Sequence, residues 1–163
     1  MNYKTFYNSP VGILEICGTD NSITSLYFID EELNSEVMSN PYIEKCTEQL
    51  DEYFDGRRKI FEINIQAEGT DFQKKVWSEL LKIPFGETKS YMEITKSLGN
   101  EKAIRAVANA NGQNKISIII PCHRVIGSDG SLTGYGGGLW RKKWLLDHEQ
   151  KFSDKEKQLT LIL

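Results

Sequence analysis

The chain has 163 residues, of which 39% are hydrophobic and 26% charged, which suits a soluble globular protein of one ordinary domain or two small ones. No run approaches the ~20 apolar residues that a membrane helix needs, and the N-terminus lacks the basic and apolar regions of a signal peptide, so we expect neither. The net charge of −3 is uneven: residues 101–145 carry +5, which suits phosphate contacts as well as an ordinary solvated face.

Strand-like runs fill the first part of the chain. Residues 4–30 contain β-prone runs separated by the turn signals SPVG and GTDN, which predicts a three-stranded antiparallel meander. Asn40 and Pro41 then suit the start of a helix that ends at Gly56. The alternation in IFEINIQ, residues 60–66, predicts a half-buried strand. The apolar stripe predicted for the helix is Ile43, Cys46, Thr47, Leu50 and Phe54.

A linker follows, and we place a domain boundary near Gly69, so that residues 1–68 form an N-terminal α/β domain. Thr70 and Gln73 match a capping box at the start of a helix. The apolar face predicted for this helix is Phe72, Val76, Leu80 and Leu81.

A second capping box, Ser90 with Glu93, predicts a short helix that stops at Gly99. Asn100 can cap a further helix that ends at Gly112. Two short helices with a tight turn have the form of a helix-turn-helix, although many ordinary helix pairs share that pattern. The C-terminal domain then spans residues 69–150, and residues 151–163 are a tail that is charged and then apolar.

Cys122, in the run IIIPCHRVIG, is the candidate nucleophile. A free thiol has a pKa near 8.5 and needs a base such as the adjacent His123. Successive side chains of a strand point to opposite faces, so direct contact requires a turn or a bridging water. Pro121 and the short apolar run indicate that a strand ends here, which favours a turn. The alternative is a buried, inert cysteine beside a surface histidine.

Glu149 is the candidate partner for an imidazole. It shares a helical face with Leu145, and a buried carboxylate there requires a partner such as a distant histidine. The alternative is a solvent-exposed carboxylate at a helix end.

The three cysteines, Cys17, Cys46 and Cys122, are widely spaced and form no CxxC pair. This is typical of free thiols in a reducing cytoplasm. The cysteines and histidines also lack the paired spacing of a structural zinc site, so we expect no bound metal.

Long stretches around these residues resemble one known family. IPCHRVIG, GSLTGYGGGLWRKKWLLDHE, FQKKVWSELLKIPFGETKSYMEI and NEKAIRAVANANGQN are similar to the methylated-DNA–protein-cysteine methyltransferases, densely over residues 67–150. The resemblance implies an α+β fold, with a ribonuclease-H-like α/β domain followed by a helical domain that holds a winged helix-turn-helix. It implies a monomeric, cytoplasmic repair protein that flips O6-alkylguanine, and also O4-alkylthymine, out of double-stranded DNA. The alkyl group moves once to a cysteine, without a cofactor or membrane contact.

The resemblance also assigns roles to individual residues. Cys122 is the alkyl acceptor, His123 takes its proton through a water, and Glu149 holds that histidine. Asn114 turns the chain beside the site, and Tyr91 protonates the departing guanine.

The helix that contains Arg105 is implied to face DNA, with the arginine filling the gap that the flipped base leaves. The DNA-binding residues are Arg105, Ala106, Asn109 and Arg124, with Ala108 and Ala110 on the same small-residue face. The residues implied at the base pocket are Val125, Tyr135 and Gly136. Vertebrate members have a serine where this chain has Gly136, and they bind a zinc for which this chain lacks the residues.

Two other functions remain open. A non-enzymatic sensor of the alkyltransferase-like type shares the fold but carries tryptophan in place of the acceptor, so Cys122 argues against it. A cysteine hydrolase would turn over and would require an oxyanion hole, which we do not identify in the sequence.

Overall fold

The structure, a computed structural model, describes residues 1–31 and 36–162, with side chains as far as residue 153. It is an α+β chain with a small sheet in the N-terminal part and helices in the C-terminal part, as the sequence predicts. The strands are β1 Tyr3–Ser9, β2 Gly12–Gly18, β3 Ile23–Ile29, β4 Lys89–Ser90 and β5 Val125–Ile126. The helices are α1 Pro41–Phe54, α2 Asp71–Leu80, α3 Tyr91–Ser97, α4 Ile104–Gly112 and α5 Leu139–Ile162.

β1, β2 and β3 form an antiparallel meander in the order β1-β2-β3, so the prediction from the turn signals is confirmed. Tyr3 pairs with Gly18 and Ser9 with Gly12 across the first hairpin. The inward side chains of β2, Leu14 among them, belong to one buried cluster with α1. The sheet therefore has a helix on one face, which forms the N-terminal core.

α1 begins and ends where its sequence predicts. Asn40 Oδ1 accepts a hydrogen bond from Ile43 N–H at 2.8 Å, and Pro41 occupies the first turn. The chain leaves the helix at Gly56 with a φ of 82°, a conformation that strains other residues. The fully buried residues of α1 are Ile43, Cys46, Leu50 and Tyr53. The predicted stripe is thus right in its centre, and it continues to a tyrosine that the prediction left out.

The predicted strand at residues 60–66 is wrong. Its apolar residues keep the expected alternation of exposure, but among the described residues Ile65 alone of this segment pairs, by one parallel bridge to Ile23 of β3. The same edge of β3 is used further along by another segment, because Leu26 N–H donates to Lys115 O at 2.8 Å. Each segment therefore reaches too little of the edge to build a ladder.

Both predicted capping boxes are present, at the starts of α2 and α3. Thr70 Oγ1 accepts from Gln73 N–H at 3.1 Å, and Gln73 Oε1 accepts from Thr70 N–H at 2.9 Å. Ser90 and Glu93 make the same exchange. These local contacts fix where each helix begins.

The predicted apolar face of α2 is partly wrong. Val76 and Leu80 are buried as expected, but Phe72 and Leu81 are 36% and 48% exposed. Trp77 takes their place, and its Nε1 donates to a backbone carbonyl of α4 at 2.9 Å. The face of α2 that packs against α4 is therefore rotated from the predicted one, so that it includes Trp77 in place of Phe72 and Leu81.

A short connection joins α3 to α4. Gly99 follows α3 with a φ of 85°, and Asn100 caps a 3₁₀ turn, Glu101–Ala103, that leads directly into α4. The predicted helix ending at Gly112 is confirmed. β4 and β5 pair in parallel and tie the start of α3 to the segment after Cys122.

α5 continues into the predicted tail, so residues 151–162 extend this helix. The side chains from residue 154 and the whole of Leu163 lie outside the described part. None of the helices that the structure describes has the length and apolar composition needed to cross a membrane.

Candidate active site

Asn114 anchors the backbone that leads to the candidate nucleophile. Its Oδ1 accepts from Ile116 N–H at 2.9 Å, and its Nδ2 donates to Ile120 O at 2.9 Å. One side chain thus holds both ends of the apolar run.

Between these anchors the chain makes a strained turn. Ile118 has a φ of 71°, which is unusual for a β-branched residue, and Ile119 N–H donates to Ser117 O at 2.8 Å. This is a γ-turn of the rare positive-φ kind. The predicted end of a strand is therefore wrong, because the apolar run folds back on itself.

A second turn follows at Pro121, whose φ and ψ are −81° and 62°, with Cys122 N–H donating to Ile120 O at 2.8 Å. The next three residues, Cys122–Arg124, form a 3₁₀ turn. The turn that the adjacent Cys122 and His123 required is thus present. Cys122 is buried, with 5% of its surface exposed.

His123 is fully buried beside Glu149, on α5. Its Nε2 lies 2.7 Å from Glu149 Oε2. The other ring nitrogen, Nδ1, is buried and has no hydrogen-bond partner among the described residues. If the carboxylate accepts the Nε2 proton, Nδ1 is the nitrogen that can accept another.

The prediction that Arg124 lies on the DNA-binding surface is wrong. The side chain is buried, its Nε donates to Glu149 Oε1 at 2.7 Å, and its Nη2 donates to Glu149 Oε2 at 3.1 Å. Its Nη1 donates to Ile83 O at 2.6 Å. A buried guanidinium requires a counter-charge, and Glu149 supplies it.

Glu149 receives two further hydrogen bonds that sequence reasoning missed. Tyr53, on α1, donates its hydroxyl to Oε2 at 2.6 Å, and Gly86 N–H donates to Oε1 at 3.4 Å. Burial alone would raise the pKa of Glu149, but His123 and Arg124 outweigh it and hold the pKa well below its usual range. The carboxylate is therefore ionised at neutral pH.

Opposing effects act on the Cys122 thiol. Burial raises its pKa, while the Asn114 side chain, the Lys142 ammonium and the backbone N–H groups of Cys122 and His123 lower it, and burial prevails. The thiol is thus protonated at rest and requires a base to become a nucleophile.

Lys142 is a second residue that sequence reasoning missed. It is fully buried, and its Nζ donates to Val125 O at 2.6 Å, Thr133 O at 3.0 Å and Gly134 O at 3.4 Å. Burial lowers its pKa to about 8. The available signal was its helical spacing, because Lys142 lies three and seven residues before the inward Leu145 and Glu149.

A cavity of about 430 Å³ opens between α4 and the loop before α5. Tyr91, Arg105, Asn111 and Tyr135 contribute to its walls. Tyr91 donates its hydroxyl to Thr133 O at 3.0 Å. Burial, with Cys122 nearby, raises the pKa of Tyr135 well above its usual range, so Tyr135 stays neutral.

Of the residues predicted at the base pocket, Tyr135 lines this cavity. Val125 is buried behind it, with its carbonyl held by Lys142, and Gly136 is exposed. The wall therefore uses the residues just before Gly136 rather than Gly136 itself.

The outer face of α4 is exposed and carries the other predicted DNA-binding residues, Arg105, Ala106 and Asn109, together with Ala108. Ala110, predicted on the same face, is instead buried against the core. A face of small side chains with one arginine can approach another molecule closely.

The part of the chain that the structure describes contains no group of three or more His, Cys, Asp or Glu side chains placed to hold a metal ion.

Known proteins of one family resemble this chain along nearly its whole length. Two family models cover nearly the whole chain: the 6-O-methylguanine DNA methyltransferase ribonuclease-like domain matches residues 2–67, and the DNA binding domain of the same family matches residues 71–151. The methylated-DNA–protein-cysteine methyltransferase of Methanosarcina barkeri is 42% identical over 153 residues, which cover 91% of this chain and 97% of the relative. The constitutive enzyme of Bacillus subtilis is 41% identical, covering 96% of this chain and 100% of the relative.

Solved structures give the same result. The fold matches the O6-methylguanine methyltransferase of Mycobacterium tuberculosis with a TM-score of 0.84 at 42% identity, covering 93% of this chain and 94% of that one. A structure of the Mycobacterium tuberculosis protein in complex with DNA matches with a TM-score of 0.83 at 43% identity, covering 90% and 92%. With two family models in chain order and relatives above 40% identity along most of its length, this chain belongs to the 6-O-methylguanine DNA methyltransferase family.

Proposed function

We propose that this protein repairs alkylated guanine in DNA by accepting the alkyl group on Cys122. The observation that carries the proposal is a buried thiol next to a histidine whose Nε2 meets Glu149 at 2.7 Å. The same reaction is named for relatives that are 41–45% identical over most of the chain.

The thiol proton has a defined route in this proposal. His123 uses Nε2 for Glu149, so Nδ1 receives the Cys122 proton through a bridging water. The sulfur then attacks the alkyl carbon, and the carbon–sulfur bond forms as the carbon–oxygen bond to guanine breaks. The carboxylate stabilises the imidazolium that results. Because a thioether has no easy exit, each molecule acts once.

The electron pair of the broken carbon–oxygen bond stays with guanine, which leaves more readily when it is protonated. We assign this proton to Tyr91, which lines the cavity. Its hydroxyl donates to Thr133 O in the free protein, and it would exchange that carbonyl for the bound base.

The DNA contact uses α3 and α4 as a winged helix-turn-helix, with the exposed face of α4 against the duplex. An alkylated oxygen is hidden inside the base stack, so the nucleotide must be flipped out. Arg105 lies at the cavity wall and on the exposed face of α4. It is therefore placed to fill the gap in the stack while the base occupies the cavity.

Neither alternative has comparable support. A non-enzymatic sensor does not require an acceptor thiol, and here Cys122 adjoins a buried His123–Glu149 pair. A hydrolase would require free backbone donors near the sulfur for an oxyanion. The Cys122 N–H is already donated to Ile120 O at 2.8 Å, and the His123 N–H acts on the thiol itself.

The direct test is intact-protein mass spectrometry after incubation with alkylated DNA. The expected result is the mass of one alkyl group per molecule, a plateau at one repaired lesion per protein, and peptide mapping to Cys122. Burial raises the pKa of Cys46 to about 12, so this thiol should remain unmodified. Cys122→Ser should abolish the mass shift. Product that keeps forming at excess substrate would instead indicate a hydrolase.

We also propose a monomer that works in the cytoplasm. The residues assigned to the reaction all lie on one chain, and the three cysteines are free, as in a reducing compartment. Light scattering at micromolar concentration and cell fractionation would test these two points.

A further inference from the structure

Tyr53 links the N-terminal domain to the candidate active site. It lies on α1, is fully buried, and donates its hydroxyl to Glu149 Oε2 at 2.6 Å. The same oxygen lies 2.7 Å from His123 Nε2. The phenol and the imidazole therefore share one carboxylate oxygen, although Tyr53 and Glu149 are 96 residues apart in the chain.

Packing holds the phenol rigidly in this position. Its ring centroid lies 5.6 Å from that of Phe61, 6.0 Å from Phe85 and 5.2 Å from His148. A buried tyrosine hydroxyl usually has a hydrogen-bond partner, but a neutral backbone carbonyl would suffice for that purpose. Here the partner is the carboxylate that faces the histidine.

Removal of the phenol would leave the carboxylate in place. Arg124 holds Glu149 through Nε at 2.7 Å and Nη2 at 3.1 Å, and Gly86 N–H adds a third contact. The orientation of Glu149 is thus set largely without Tyr53. The phenol adds a hydrogen-bond donor to Oε2. Donors that share one oxygen also share its negative charge, so each donor weakens the attraction between that oxygen and the other donors.

We propose that Tyr53 is a positioning residue for the alkyl transfer and that it acts through Glu149. Its hydrogen bond to Oε2 limits how strongly the carboxylate stabilises the protonated form of His123. The inference rests on the proton route given above. If Tyr53 is changed to Phe, the carboxylate should stabilise the imidazolium more strongly, and thiolate should form at lower pH.

The other ionisable groups around the pair do not produce this shift. Those that face Glu149 or Tyr53 are His123, Arg124, Tyr135 and His148, while Lys151, further along α5, acts on His148. Burial raises the pKa of Tyr135 well above its usual range, so Tyr135 stays neutral. Burial lowers the pKa of His148, and its partner, the backbone carbonyl of Tyr53, is the same in wild type and variant. Lys142, with a pKa of about 8, titrates in the wild type and in the variant alike.

The experiment measures the single-turnover rate of Cys122 alkylation by free O6-benzylguanine between pH 5 and pH 9.5, read by intact mass. For Tyr53→Phe we expect the midpoint of the pH profile to move down by roughly half a pH unit. The rate below the midpoint should then rise by about threefold. Glu149→Gln should move the midpoint the opposite way.

Tyr7→Phe is a matched control. Tyr7 donates to Asp51, also on α1, at 2.6 Å, but this pair does not contact Glu149. The midpoint of the pH profile of Tyr7→Phe should equal that of the wild type. A Tyr53→Phe midpoint that is unchanged would make the phenol purely structural, and one that moves up would mean that it orients the carboxylate. Either result overturns the inference.

Should Tyr53→Phe fail to fold, 3-fluorotyrosine at position 53 gives the converse test. Its more acidic phenol should move the midpoint up, and an unchanged midpoint would contradict the inference. Failure of the proposed function is distinguishable, because the wild type would then acquire no alkyl group at any pH.

Discussion

Replacement of Glu149 by Gln tests the buried ion pair and the chemistry together. Among the described residues, five donor atoms contact the carboxylate, from Tyr53, Gly86, His123 and Arg124. A glutamine keeps one oxygen and turns the other into a donor. If the remaining oxygen occupies the Oε2 position, the new NH₂ group lies at the Oε1 position. There it faces the Arg124 Nε–H, so two donors meet with no acceptor between them. Loss of one partner from a buried ion pair costs about 3–5 kcal/mol, and we expect that decrease in the free energy of unfolding.

The dependence on pH has a definite sign. The pKa of Glu149 in the folded protein is held below its usual range, so the stabilisation is complete above the unfolded value of about 4.3 and is lost as pH falls through the folded pKa. Urea unfolding should therefore show a gap between wild type and Glu149→Gln that is constant from pH 5 to 7 and narrows below about pH 4.

Asp147→Asn is the control, because Asp147 pairs with Lys143 at 2.7 Å on the same helix but with 67% of each side chain exposed. It should change stability by less than about 1 kcal/mol. In the chemical assay, Glu149→Gln should raise the pKa of the Cys122 thiol, because the imidazolium loses its counter-charge. A stability loss below about 1 kcal/mol, or a pH profile of thiol alkylation equal to that of the wild type, would refute the reasoning.

Arg105→Ala should slow repair of alkylated duplex by roughly tenfold or more, because unstacking a base costs a few kcal/mol, but should leave reaction with free alkylated guanine nearly intact. Tyr91→Phe should slow both, because the leaving group needs its proton in either case; equal slowing of both substrates by Arg105→Ala would make Arg105 structural or catalytic. Lys142→Met removes a cation that lowers the pKa of the Cys122 thiol, so the pH profile of Cys122 alkylation should move to higher pH. An unmoved profile would limit Lys142 to holding the loop.

Local signals predicted local structure well. The turn sequences predicted the meander, and the cap residues Asn40 and Thr70 mark the starts of α1 and α2, because their partners lie only three residues away. The strand at residues 60–66 failed for the opposite reason. Its alternation was real, but strand formation depended on an edge of β3 that is shared with residues around Ile116.

The residues of the candidate site also fall into those that the sequence predicted and those that it did not. Recognition of the family placed His123 and Glu149 together, which the spacing of 26 residues alone would not have done. The resemblance implied that Arg124 contacts DNA, and its place in a basic segment fits that role, because charge in a sequence does not distinguish a surface cation from the partner of a buried carboxylate. Tyr53 had a visible signal, since it continues the stripe of Cys46 and Leu50, but its partner lies at the far end of the chain.

The distance along the chain between Tyr53 and Glu149 affects the order of folding. The contact between Tyr53 and Glu149 closes a loop of 96 residues, whereas the hairpins and capped helices form over a few residues. Contacts that are distant in sequence form slowly, because the entropy lost on closing the loop is recovered only when the ends meet. During refolding, helical and sheet signals should therefore return before the chain regains its ability to accept an alkyl group.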